Sequence, residues 1–141
     1  MDAPRMRIAS VVLGAPNPRS LAAFYQRLLG WTVVDEASAR LGLPPEDGWA
    51  MLRPAAGATG LRGLVIPWEP DYRAPVWPPA SGDPQMMLHF DIAVEQLDEA
   101  VAWALQAGAT LAEHQPKAAS SPVGTTRHPD MSGRQPRDGE N

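Results

Sequence analysis

The sequence predicts an α+β fold assembled from two copies of one strand–helix unit, and three observations carry the prediction. One is a repeat: Ser10-Val11-Val12-Leu13 leads through Leu21, Phe24 and Leu28 to Gly30, and His89-Phe90-Asp91-Ile92 leads through Leu97, Val101 and Leu105 to Gly108. The copies keep their spacing to within one residue, and a supersecondary unit repeated in tandem constrains the whole architecture. Another is the stretch between them, Pro67 to Pro84, which holds six prolines. The third is a change of composition after Lys117, where the second copy should continue and does not.

Taken in order, Ile8 to Leu13 is apolar with small residues interspersed and reads as a strand. Asn17-Pro18 starts a helix, because Asn accepts a hydrogen bond from an orphan amide and Pro is tolerated at the first helical position. Leu21, Phe24, Leu28 and Leu29 then form one amphipathic stripe, and Gly30 closes it. Trp31 to Asp35 and Trp49 to Arg53 read as strands joined by a loop containing Pro44-Pro45-Glu46-Asp47-Gly48. After the turn cluster Ala55 to Gly60, Leu61 to Ile66 is a further apolar strand. The first unit is thus strand, helix, strand, strand, strand. Pro67 to Pro84, with Trp68, Tyr72 and Trp77, is too rich in proline for an interior element and reads as an extended crossover.

The second unit opens on Met86 to Val94, where Met86, Leu88, Phe90, Ile92 and Val94 alternate with Met87, His89, Asp91 and Ala93. That period predicts one core face and one polar face, with His89 and Asp91 side by side on the latter. Leu97, Val101, Ala104 and Leu105 predict a second helix ended by Gly108, and Ala109 to His114 a short strand.

Bulk properties narrow the function. A chain of 141 residues fits one domain, or two half-domains sharing a core. A net charge of -4 argues against nucleic-acid and anionic-membrane partners. The absence of cysteine removes disulfides, thiol nucleophiles and thiolate metal sites. No apolar run is long enough for a membrane span, and Met1 to Arg7 lacks the apolar stretch of a secretory signal, so a cytoplasmic location is expected.

Three segments together carry a family resemblance: Arg19 to Trp31 (RSLAAFYQRLLGW), Asp71 to Pro78 (DYRAPVWP), and His89-Phe90-Asp91 with Leu97-Asp98-Glu99-Ala100-Val101. Over residues 8 to about 116 the chain resembles the glyoxalase/bleomycin-resistance/dioxygenase (vicinal oxygen chelate) superfamily, and within it the small glyoxalase-like proteins. The resemblance implies paired βαβββ units whose curved mixed sheet encloses a ligand cleft, often in a homodimer. It implies a glyoxalase-like domain over 1–116, with unit one at 7–69, the crossover at 67–85 and a partial unit two at 86–116. Metal-dependent members place His, Gln or Glu ligands on the first and last strands of each unit. His89 matches one such position, Ser10 stands at its first-unit equivalent, and Glu69 is the only carboxylate near the end of the fourth strand. A neutral hydroxyl is a poor ligand for a divalent metal, so no cofactor is expected, with His89 and Glu69 the residual metal candidates.

Other roles stay open. His89 lines the cleft, bonds internally, or acts as a general base oriented by Asp91. Trp49, Trp68 and Trp77, with Ser10 and His89, form a ligand-binding set, or the tryptophans anchor the proline-rich crossover. His114 and His128 have no partner spacing and read as solvated. The expected function is binding of a small organic molecule without a metal. The alternatives are a metal-dependent lyase or dioxygenase-type enzyme, or an inactive truncated member. Lys117 to Asn141 contain no aromatic, Leu or Ile residue and predict a disordered tail. Carrying the first unit's spacing forward places the counterpart of Leu64 beyond Asn141. A divergent natural tail and a reading-frame change near Lys117 both account for this, the latter being favoured. An incomplete second unit predicts an unpaired edge on its first strand and hence marginal stability or pairing between chains.

Overall fold

The computed structural model describes residues 4–58 and 60–112, and the backbone of 123–124. The chain divides into two compact units, Met1–Tyr72 and Arg73–Asn141, with the boundary inside the expected crossover.

The first unit is a complete βαβββ motif. Strand β1 (Val11–Val12) leads into helix α1 (Pro18–Leu29), followed by β2 (Thr32–Ala37), β3 (Trp49–Arg53) and β4 (Leu64–Pro67). The sheet order is β1-β4-β3-β2, with β1 parallel to β4 and the other neighbours antiparallel. Strand β1 is shorter than the apolar run from Ile8 suggests, but its ladder continues past Val12. Leu13 N–H donates to Val65 O and Ala15 N–H to Pro67 O, at 2.9 and 3.0 Å.

Helix α1 begins and ends where its signals say. The Asn17 side chain accepts from Ser20 N–H at 3.1 Å, Pro18 occupies the first turn, and Gly30 closes the helix at φ 66°. Leu21, Ala22, Phe24 and Tyr25 are buried on its inner face. Opposite them are Ala50 and Leu52 of β3 with Leu64 and Ile66 of β4, all at most 1% exposed. The intervening residues Trp49, Met51, Val65 and Pro67 are only half-buried. One face of the sheet is therefore core, and the other is partly accessible.

The second unit departs from the expected pattern. Of the predicted Met86–Val94 strand, Ile92–Ala93 forms β5, antiparallel to Val123–Gly124 (β6). That partner lies in the segment expected to be unstructured, and it supplies backbone groups to a strand expected to have an open edge. Helix α2 (Leu97–Ala107) ends at Gly108, φ 108°, as predicted. It buries Ala104 and Ala107 rather than the full stripe, leaving Leu105 47% and Trp103 56% exposed. Ala109 to Ala112 forms no named strand, and His114, His128 and the remaining tail positions lie outside the described residues.

Candidate functional site

The pleat decides which candidate side chains meet. The register pairs Trp49 with both Pro67 and Ala37, Met51 with Val65 and Asp35, and Val12 with Val65. Registered neighbours share a face, so Val12, Trp49, Met51, Val65 and Pro67 lie together on the side away from α1. Val12 is 64% exposed. Ser10, two residues before Val12, falls on this face, and a Cβ built on Gly63 would stand 3.6 Å from its Cβ. Glu69 reaches the same side at the end of β4. Its Cβ would be 3.2 Å from a Cβ built on Gly14, its backbone N–H donates to Ala15 O at 2.8 Å, and its Oε1 accepts from Asp71 N–H at 3.2 Å.

Ser10, Trp49 and Glu69 are thus brought to one sheet face. Trp68 is not: it follows Pro67 directly, bridges to Ala15, and turns toward the helix side. Trp77, His89 and Asp91 belong to the second unit. There His89 Nε2 lies 3.7 Å from Asp91 Oδ1, with the side chains 55% and 69% exposed. The predicted neighbourhood of imidazole and carboxylate exists, at ion-pair rather than hydrogen-bond distance.

The donors do not suit a divalent metal. No group of three or more His and acidic side chains capable of holding a metal comes together among the described residues. The first-unit face offers the Glu69 carboxylate, already accepting an amide, the Asp35 carboxylate two strands away on β2, and a neutral hydroxyl. No step is derived through a metal.

Beside this face stands a polar clamp that residue types alone did not single out. Arg19, in the first turn of α1, donates from its guanidinium to Ala37 O at 2.9 Å, to Asp47 O at 2.8 Å, and to Pro45 O. Asp47 is 1% exposed. It accepts from Arg40 at three points, the backbone N–H at 2.8 Å, Nε at 3.0 Å and a terminal guanidinium nitrogen at 2.8 Å. Hydrogen bonding to the Arg40 side chain, then to its backbone, holds the Asp47 carboxyl well below the usual carboxylate range. Gly48 completes the clamp at φ +119°, its carbonyl accepting from Trp68 N–H at 3.0 Å. The clamp fixes the β2–β3 loop and with it the start of β3, where Trp49 begins the accessible face. Its one legible trace was the turn cluster Pro44 to Gly48.

An open groove of about 420 Å³ runs between α1 and β2, bordered by Ala23, Gln26, Val33, Asp35 and Glu36. None of the predicted site residues borders it. No helix among the described residues is long and apolar enough to cross a membrane.

Comparison with known proteins adds one finding. A family model described as Glyoxalase-like domain matches residues 10–131, from Ser10 through the whole first unit, α2 and β6. The match runs past residue 116, where the sequence resemblance was expected to stop. No curated protein and no solved structure matches the chain.

Proposed function

Because the chain belongs to the glyoxalase-like domain family, we propose that it binds a small organic molecule on the accessible face of the first-unit sheet, without the family's metal. The observation that carries this reading is that face itself. Val12, Trp49, Met51, Val65 and Pro67 give apolar and aromatic surface, and Ser10 and Glu69 supply few polar groups at its margin. Mostly apolar walls with sparse polar groups suit a small-molecule site. Trp49 is the aromatic contact, Ser10 a hydroxyl donor and acceptor, and Glu69 an acceptor for a ligand donor. A cytoplasmic homodimer completes the proposal.

Titration with 1-anilinonaphthalene-8-sulfonate, followed by tryptophan quenching and dye emission, tests it. Saturable binding that is lost in Met51→Glu, while that variant keeps the parent far-UV circular dichroism, supports the site. Binding unchanged by Met51→Glu removes it. A melting temperature raised by Mn²⁺ or Zn²⁺ would favour the metal-dependent reading instead.

Within the second unit, the His89–Asp91 pair supports a second reading, acid–base catalysis on a small molecule, with His89 handling the proton and Asp91 orienting the imidazole. Loss of turnover in His89→Ala with retained binding would mark that role.

A further inference from the structure

Two aspartates in the chain are followed by glycine, Asp47 and Asp138. In that dipeptide a main-chain nitrogen readily attacks the preceding side chain, because glycine has no Cβ to shield the nitrogen or restrict the backbone. Asp138 lies outside the described residues. At Asp47 the fold itself demands the pair. A Cβ at position 48 would stand 2.1 Å from Ala37 O, at φ +119°, so the loop requires glycine there. Position 47 requires a carboxylate, because the group buried there accepts from Arg40 at both oxygens.

Attack needs a carboxyl free to swing onto the Gly48 nitrogen, and a neutral one from which water can leave. Arg40 denies both. Its backbone N–H and Nε donate to Oδ2 at 2.8 and 3.0 Å, and a terminal guanidinium nitrogen donates to Oδ1 at 2.8 Å. A group held at both oxygens does not rotate, and charge-assisted bonds keep it ionised. Gly48 N–H donates to the same carboxylate, so the nucleophile already lies beside its target. Arg40 sits on the β2–β3 loop with its side chain 74% exposed, so opening that loop releases the carboxylate without unfolding the core.

We propose that Asp47–Gly48 is a succinimide and isoaspartate site that Arg40 holds shut. When the loop opens, Gly48 N bonds to Asp47 Cγ, and the amide proton and the carboxyl hydroxyl leave as water. Water then adds back to the imide. Addition at Cγ restores Asp47. Addition at the main-chain carbonyl leaves an isoaspartate, whose backbone runs through Cγ and whose α-carboxylate is free. Water is the one co-reactant. The product lengthens the main chain by a methylene at the centre of the clamp. The Asp47 carbonyl that accepts from Arg19 at 2.8 Å becomes the new carboxylate, and Gly48 O, which accepts from Trp68 N–H at 3.0 Å, is displaced. Isomerisation therefore undoes the fixing of the β2–β3 loop and of the start of β3.

Prolonged warm incubation of the full chain at mildly acidic pH, followed by digestion and electron-transfer mass spectrometry, measures isoaspartate at Asp47, with Asp138 in the same sample normalising for solution chemistry. Arg40→Ala, with parent circular dichroism, should isomerise at Asp47 about tenfold faster than the parent or more. Arg40→Lys keeps the charge without the two-pronged contact and should fall between them. The parent itself should isomerise faster at Asp47 in urea than when folded, a comparison that needs no variant to fold. Equal rates at Asp47 in the folded and urea-unfolded parent, or in the parent and a folded Arg40→Ala, overturn the role of Arg40. No isoaspartate at Asp47 even in urea removes the site.

Discussion

Gly48→Ala tests whether the β2–β3 loop is held as described. A Cβ at Gly48 would stand 2.1 Å from Ala37 O and 2.7 Å from a guanidinium nitrogen of Arg19. The first clash is with backbone, which cannot swing aside, and the second displaces the arginine that joins Ala37, Pro45 and Asp47. Backbone strain at φ +119° costs about 1–3 kcal/mol, and overpacking a further 1–3 kcal/mol or so. The sum, about 2–6 kcal/mol, corresponds to roughly 8–24 °C in melting temperature for a chain of this size. Gly30→Ala is the control. Its φ is +66° with nothing within 4 Å of the added Cβ, so it carries only the conformational term, about 1 kcal/mol or roughly 4 °C. Thermal unfolding by circular dichroism distinguishes them, and equal melting points for the two variants would refute the clamp.

Ile66→Ala empties a fully buried position between α1 and the sheet and should cost about 2–5 kcal/mol in urea unfolding. Val12→Ala, on the exposed face, should stay within about 0.5 kcal/mol if measured on the monomer. Asp47→Asn should alter the acid limb of the stability curve. The folded carboxyl lies below its unfolded value, so its contribution is present above about pH 4 and is lost as pH falls through the folded pKa. Acid titrations of the two proteins should therefore converge below that range; parallel curves would contradict the Arg40 pairing. Tyr25 behaves oppositely. Burial, with a smaller repulsion from Tyr72, raises its pKa, so its contribution is complete below about pH 10 and is lost as pH rises toward the folded pKa. Tyrosinate absorbance should show one phenol resisting ionisation until the chain unfolds, absent in Tyr25→Phe.

The first unit was legible wherever its signals are local. Asn17, Pro18 and Gly30 each act on the backbone within a turn, so helix α1 emerges with its caps in place. Strand β3 likewise has the bounds its sequence suggests, because turn residues flank it. The second unit was less legible because a strand is made by a partner's backbone, and alternation alone cannot supply one. Met86 to Val94 alternates cleanly, yet the strand there spans Ile92–Ala93. Arg19 illustrates another limit. Its acceptors are three main-chain carbonyls, groups every residue carries, so nothing in residue type at Ala37, Pro45 or Asp47 announces the clamp.

The candidate site shows why residue chemistry and site geometry are legible to different degrees. Ser10, Glu69 and the tryptophans stand out by type, but a face is decided by register, where a step of one residue reverses a side chain. Trp49 and Trp68 make the point: the same antiparallel pairing that joins Trp49 to Pro67 turns Trp68 away. Met51 and Val65 have no chemistry to attract notice, yet their register puts them at the centre of the accessible face. The ligand proposal therefore depends more on the bland positions of β3 and β4 than on the aromatic residues first singled out. Replacing Met51 is accordingly a sharper test of that site than replacing Trp68, whose side chain lies on the helix side.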